Sequence, residues 1–418
     1  MSRPFRLLVG IDWATQAHQV CIINQEREVV RELSVEATGA GLAKFADLLL
    51  DLSDGDISQT AIAIEVPRGP VVELLVERGF AVFAINPKQL DRFRDRHTVA
   101  GAKDDRRDAL VLADSLRTDQ HCFRRVKLDA SWVIQLRELS RMDHELSVEI
   151  TRLTNRLRDV LQRYYPQALS LSSDLATPWL WELLHRAPTP QQGRRLRSST
   201  ITRLLRTHRI RRLVASDVLV RLRIEPLVVA PGTVEAASNR VLLLLPRLQL
   251  LHSQRKDCAQ RIDRLLELPE PSSDENRGEH RDVEILRSLP GIGRLVSAAM
   301  LSEAHEALNN GDYHTLRAQS GVAPVTRRSG KSSSVSMRYA CNERLRYAMF
   351  HWARSSVLRD PHCKSYYASL RGRGHSHGRA LRAVGDRSLR VLMAMLKHRT
   401  LYDPSKLRRV PRGASLSP

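Results

Sequence analysis

Four carboxylates and one serine carry the residue types that phosphodiester chemistry needs. Asp12 ends the apolar run Leu7-Leu8-Val9-Gly10-Ile11, and Glu65 ends a second run, Ala61-Ile62-Ala63-Ile64. Asp105 and Asp108, within Lys103-Asp104-Asp105-Arg106-Arg107-Asp108-Ala109, lie three apart and share one face of a helix. Four convergent carboxylates suit a pair of Mg²⁺ ions. Two such ions, about 4 Å apart, activate an attacking oxygen and stabilise a leaving one. Each acid alone is ordinary, because a charged helix turn is usually a solvated face; the ordered combination is what carries the expectation. Ser329, flanked by Arg327, Arg328 and Lys331 in the stretch from Gly321 to Lys331, could attack a phosphodiester while the cations stabilise phosphoryl charge. Ser332, Ser333, Ser334 and Ser336 are equal chemical candidates, and such a Ser/Gly/Lys stretch is commonly a flexible loop.

The acids need a scaffold that brings distant positions together. Leu7 to Ile11, Val20 to Ile23 and Glu28 to Val35 read as three strands, followed by a helix over Leu42–Leu52 and a strand ending at Glu65. A helix from Pro70 to Arg78, a strand from Ala81 to Ile85, a polar loop and a helix from Asp104 to Leu116 complete an α/β domain over 1–128. In open α/β sheets, sites form beyond the carboxyl ends of strands, where Asp12 and Glu65 fall.

From Ser131 the pattern is helical. Leu139, Leu146, Leu153 and Val160 recur every seven residues, with Ile150, Leu157 and Tyr164 beside them. This predicts a coiled-coil-like seam ending at Pro166, either packed within its own subunit or used for self-association. A second long helical segment, Ala236 to Leu268, is expected to break near Pro246, and a boundary is expected at Pro269 to Arg281. The regions are therefore a basic helical middle over 129–280, a serine-containing domain over 281–400 and a flexible basic tail over 401–418.

Lys and Arg total 67 against 46 Asp and Glu, a formal charge of +21. Residues 1–128 hold 18 basic and 19 acidic residues, so the remainder, with 49 against 27, carries the whole excess. A polyanionic partner follows. The segment from Arg194 to Arg223 has ten arginines and one acid, Asp217, and Arg194, Arg195, Arg197, Arg203 and Arg206 are its first candidates for backbone contacts. No apolar run approaches a membrane span, and the scattered cysteines Cys21, Cys122, Cys258, Cys341 and Cys363 indicate neither a disulfide framework nor a zinc site. Leu289-Pro290-Gly291-Ile292-Gly293-Arg294 resembles a helix-hairpin-helix, in which Gly291, Ile292 and Gly293 would offer backbone N–H groups to a phosphate; the alternative is an ordinary glycine turn.

The acid set resembles the ribonuclease-H-like arrangement of Holliday-junction resolvases. Val9-Gly10-Ile11-Asp12 with Thr15 also resembles the first phosphate loop of actin-like ATPases, but the sequence lacks a second loop of the Asp-Gly-Gly-Thr type. The broadest resemblance is to the DEDD transposases of the insertion sequence 110 family, with their Piv-type invertase relatives. It rests on Gly10-Ile11-Asp12; Glu65 with Pro67 and Gly69; Lys103-x-Asp105-x-x-Asp108-Ala109; and Pro290-Gly291-Ile292-Gly293 leading to Gly321-x-x-Pro324 and Ser329-Gly330. Cys341-Asn342-Glu343-Arg344-Leu345-Arg346 and Tyr402-Asp403-Pro404 extend it, and Asp104 departs from it, since the family usually has Thr or Ser there.

That resemblance implies a resolvase-like ribonuclease-H-fold domain followed by coiled-coil and helix-hairpin-helix-containing helical domains. It implies that Asp12, Glu65, Asp105 and Asp108 bind metal and that Ser329 becomes linked to DNA. It further implies a homo-oligomer, a dimer or tetramer, in which the acidic domain of one subunit completes a site with the serine domain of another. The partners implied are donor and target double-stranded DNA and a noncoding bridge RNA, with the protein cytoplasmic and on the nucleoid when acting. Rival readings are a metal-dependent junction-resolvase-like nuclease using water, a site-specific invertase, and a non-catalytic nucleic-acid-binding protein.

Overall fold

The computed structural model describes residues 5–96, 104–267, 281–330 and 332–406. Lys103, Lys331, most of the expected 269–281 boundary and residues 407–418 of the tail lie outside the described residues. The chain divides at Ala130/Ser131 into two compact units.

The first unit is built on a six-stranded mixed sheet, β1 Leu7–Asp12, β2 Ala17–Ile23, β3 Val29–Glu36, β4 Thr60–Ile64, β5 Ala81–Ala84 and β6 Arg124–Arg125. Its order is β3-β2-β1-β4-β5-β6, with β1, β4 and β5 parallel and the flanking strands antiparallel. Side-chain alternation sorts the core. Leu7, Val9 and Ile11 pack with α1 (Gly39–Leu52) and α2 (Pro70–Glu77) on one face. Leu8, Ala61 and Ala63 pack with α3 (Pro87–Arg94) and α4 (Asp105–Asp119) on the other. Helix α3 replaces part of the expected polar loop. Asn86 accepts a hydrogen bond from Lys88 N and Pro87 stands at the first helical position, so a cap and a pre-set φ start the helix.

Among its described residues, the regular structure of the second unit is helical except for one hairpin. Helix α5 (Ser131–Tyr164) is followed by α6 (Pro166–Leu169), α7 (Pro178–Arg186), α8 (Pro190–Arg194), α9 (Ser198–Thr207), α10 (Ala215–Leu222) and α11 (Thr233–Glu267). Then come α12 (Asp282–Ser288), α13 (Arg294–Glu303), α14 (His305–Asn309), α15 (Tyr313–Gln319), strands β7 (Val325–Ser329) and β8 (Ser332–Ser336), α16 (Glu343–Arg359), α17 (Pro361–Gly372) and α18 (His377–His398).

Helices α5 and α11 run antiparallel, since Leu139 O accepts from Cys258 Sγ and Asp143 pairs with Arg255, while Ile150 to Leu157 share a core with Leu244 to Leu248. The heptad residues Ile150, Leu153, Leu157, Val160 and Tyr164 are buried in that core, and Leu139 and Leu146 pack on a second. The seam therefore closes against the chain's own helices. The expected break at Pro246 does not occur: α11 passes through it, with Pro246 on its exposed face. The second core joins Leu136, Ile262 and Leu266 to Ile285, Leu289, Trp352 and Leu392, and so spans the segments 129–280 and 281–400. At the start of the expected tail, Tyr402 N donates to Ser288 Oγ.

Candidate functional site

Asp12 and Glu65 lie side by side. The last β1–β4 register pair is Ile11 with Ile64, so each acid is the next residue on adjacent parallel strands, which stand about 4.8 Å apart. Ile11 and Ile64 face α1 and α2, so alternation turns Asp12 and Glu65 toward the face covered by α3 and α4.

Helix α4 reaches that face because residue 10 is glycine. A Cβ at Gly10 would stand 1.9 Å from Ala109 O and 2.7 Å from Ala113 N, so no side chain fits between strand and helix. The same glycine that resembled a phosphate loop is thus consumed by helix packing. One turn before Ala109, α4 begins with Asp104 as its cap, accepting a hydrogen bond from Arg106 N. Ser and Thr make the same cap, which explains why Asp is accommodated where the family usually has them. Asp105 is exposed at the first helical position, where the helix dipole favours a carboxylate, and Asp108 is only 3% exposed.

Sequence reasoning missed Arg94, at the end of α3. Its Nε and Nη2 donate to the two carboxylate oxygens of Asp108 at 2.7 and 2.8 Å, and Nη1 donates to Asp91 at 2.6 Å. Burial lowers the Arg94 pKa, but the Asp108 hydrogen bonds and the charges of Asp108, Asp91 and Glu65 outweigh it and raise the pKa. Arg94 is thus ion-paired with Asp108, and the negative charge of Glu65 adds a smaller favourable field. The Asn86-Pro87 start of α3 was the available signal; the pairing of residue 94 with 108 had none.

Four carboxylates and no imidazole or thiolate make an all-oxygen donor set that fits a hard divalent cation. Among the described residues, no three of these acids bring ligand oxygens within 4.8 Å of one another; the set that does is Asp119, His121 and Cys122 at the other end of α4.

In the second unit, the expected loop around Ser329 is the hairpin β7–β8. Ser329 pairs with Ser332, Arg328 with Ser333 and Arg327 with Ser334, and Gly330 at the tip has φ +54°. All six paired residues are exposed, and the period of two puts Arg327 on the Ser329 face and Arg328 on the opposite one.

Helices α12 and α13 are joined by Leu289 to Gly293. Gly291 has φ +85°, and a Cβ there would meet Ser356 N at 2.6 Å. The turn is held from α16, where Trp352 Nε1 and Ser356 Oγ both donate to Pro290 O. Gly293 caps α13 with no side-chain acceptor and has open space around it. Asn342 caps α16, accepting from Arg344 N and Leu345 N, and donates to the buried Glu303, so the Cys341-Asn342-Glu343 string serves packing. Arg194, Arg195, Arg197, Arg203 and Arg206 are all exposed.

A mixed sheet with acids beyond its central parallel strands and at the start of a closely packed helix fits the ribonuclease-H-like class of DNA-processing proteins. A transposase family model, that of the DEDD transposases of IS110, matches residues 9–166, and the transposase IS116/IS110/IS902 family model matches residues 283–368. The chain is 31% identical over 413 residues to the IS117 mini-circle protein of Streptomyces coelicolor, covering 95% of each. It is 30% identical over 325 residues to the IS110 43.6 kDa protein of the same organism, covering 76% of this chain and 75% of that one. A 51% identical match to the y4uE protein of Sinorhizobium fredii covers 49% of this chain and 58% of that relative. The chain belongs to the IS110 family of insertion-sequence transposases. The DEDD family implies dependence on a divalent metal. No described helix is long and apolar enough to cross a membrane.

Proposed function

We propose that the protein cuts and rejoins the double-stranded DNA of its insertion sequence, using Asp12, Glu65, Asp105 and Asp108 to hold two Mg²⁺ ions and Ser329 as the nucleophile. The observation that carries the metal half is the Gly10 contact, which lays α4, with Asp108 held by Arg94, against the sheet face toward which Asp12 and Glu65 turn. When bound, the metal pair supplies Lewis-acid polarisation of the phosphate and activation of an attacking oxygen. The carboxylates hold and orient it, and the Gly10 packing fixes where two of them begin.

The serine half rests on exposure and register. As the bond from Ser329 Oγ to phosphorus forms, the bond from phosphorus to the deoxyribose oxygen breaks, and the hydroxyl proton passes in net to that leaving oxygen. One phosphoester replaces another, so a second strand end can reverse the exchange without external energy. Arg327 shares the serine's face and stabilises phosphoryl charge there, whereas Arg328, on the opposite face, serves backbone binding.

The α12–turn–α13 segment acts as a helix-hairpin-helix on a DNA phosphate. The uncapped α13 N-terminus and the open space at Gly293 support this reading. The exposed arginines between 194 and 206 track nucleic-acid backbone, and a noncoding guide RNA performs the base reading, which shape-and-charge binding by the protein leaves to it. The working form is a homo-oligomer. Recombination of a marked element in cells tests the acid assignment: Asp12→Ala and Asp105→Ala each abolish it while leaving protein level unchanged, and recombination at the wild-type level in either variant overturns it.

A further inference from the structure

Beside the α12–α13 turn, and sharing the α13 N-terminus with it, the second unit contains a cavity of about 480 Å³ between α5, α13 and α16 whose arginine and aromatic lining the reaction above does not use. Four arginines, Arg255, Arg294, Arg344 and Arg359, line it against one acid, Asp143. Asp143 is already neutralised by Arg255, whose Nε donates to it at 3.1 Å. Of the other three, Arg294 also donates to Asp263 at 2.7 Å and Arg344 lies 3.8 Å from Glu145, acids outside the lining, so the lining itself carries more basic than acidic groups. Nε of Arg294 and Nε of Arg344 are both shut off from solvent without a hydrogen-bond partner, an uncommon state for buried donors. The uncapped first turn of α13 opens into the same space, with Gly293, Arg294, Leu295 and Val296 on its wall.

The wall on the α16 side is aromatic. Tyr347 stands between His144 and His351, with ring centroids 5.4 and 4.3 Å away, yet remains 53% exposed. Burial and the Arg354 charge lower the His351 pKa, which favours its neutral form beside Tyr347. His144, Arg344 and Tyr347 also border a second cavity of about 580 Å³, so this ridge separates two open spaces. A ring fixed by two neighbours and left half exposed above a cationic floor matches the two halves of a nucleotide: a flat base that stacks and an anionic phosphate.

We propose that this cavity holds one unpaired nucleotide of a nucleic-acid strand, its base stacked on Tyr347 and its phosphate at Arg294, Arg344 and the start of α13. Duplex bases have both faces covered by their neighbours, so a stacking platform selects a nucleotide released from pairing, as strand exchange or a guide RNA loop provides. The inference rests on the reading of the protein as a DNA-recombining enzyme, and deepens it by assigning a site for the unpaired state.

The test uses the full-length protein and fluorescein-labelled probes of one sequence as single-stranded DNA, single-stranded RNA and duplex DNA, read by anisotropy. Tyr347→Ala weakens binding of a single-stranded probe about tenfold, the order expected for one lost base stack, with duplex binding changed less than about twofold; Tyr347→Phe keeps wild-type affinity. A loss confined to the DNA or to the RNA probe names the source of the nucleotide. Equal losses on single-stranded and duplex probes, or no loss, overturn the site. Duplex binding by the wild-type protein is read separately: its absence counts against the recombination reading, while the single-strand difference alone decides the cavity.

Discussion

At the scale of single residues, Asp108 is the most constrained of the four acids. It is buried, its two oxygens are taken by one guanidinium, and its helix is pinned to β1 through a glycine that admits no Cβ. Removing Arg94 strands a carboxylate that water barely reaches. Arg94→Ala therefore lowers stability in metal-free buffer by about 3 kcal/mol, toward the low end for a broken buried pair because Arg94 is itself 26% exposed. Added Mg²⁺ then raises the melting temperature of the variant more than that of the wild type, since the cation no longer shares Asp108 with an arginine. Thermal melts with and without Mg²⁺ check both parts; an unchanged metal-free melt contradicts the role given to the pair. Asp12 and Glu65 were legible in the sequence because each closes an apolar run. Arg94 was not, because a pairing across fourteen residues leaves no periodic mark.

At the scale of elements, the β7–β8 register separates two arginines that the sequence presents as equivalent. Arg327→Ala reduces strand cleavage strongly with little change in DNA affinity, whereas Arg328→Ala weakens affinity and spares the cleavage rate at saturating DNA; the reverse assignment contradicts the face argument. Between α5, α13 and α16, Glu303 accepts hydrogen bonds from Arg141 and Asn342. Burial raises its pKa, but those hydrogen bonds and the Arg141 and Arg344 charges outweigh it and hold the carboxyl below its ordinary 4.5. A carboxyl depressed in the folded state stabilises above its unfolded value and loses that contribution as pH falls through the lower folded one. Glu303→Gln thus melts lower at neutral pH and shows a shallower loss of melting temperature than the wild type below about pH 4.5.

The alternation of strands and helices in the first unit was readable from apolar runs. The hairpin was not, because Val325 to Ser336 is rich in Arg and Ser and lacks the apolar alternation of a half-buried strand. The heptad seam of α5 was visible, but one helix cannot name its partner, and α11 took that place inside the same chain.

At the scale of the whole molecule, charge and chemistry are divided between two compact units. The nearly neutral first unit holds the four acids; the second holds Ser329 and all of the excess positive charge. Affinity for nucleic acid accordingly falls steeply with salt. Replacing Arg203 and Arg206 together with Ala reduces the slope of log affinity against log salt by about 2, one per lost phosphate contact. A slope unchanged from the wild type removes α9 from the binding surface. The central claim is that acids and serine together exchange one phosphoester for another. Its most direct measurement is denaturing capture of the full-length protein on labelled element DNA, followed by peptide mapping of the adduct. The account predicts a Mg²⁺-dependent protein–DNA bond at Ser329, absent in Ser329→Ala and in Asp12→Ala. Cleaved DNA with free ends and no adduct, made equally well by Ser329→Ala, contradicts it and leaves hydrolysis by water.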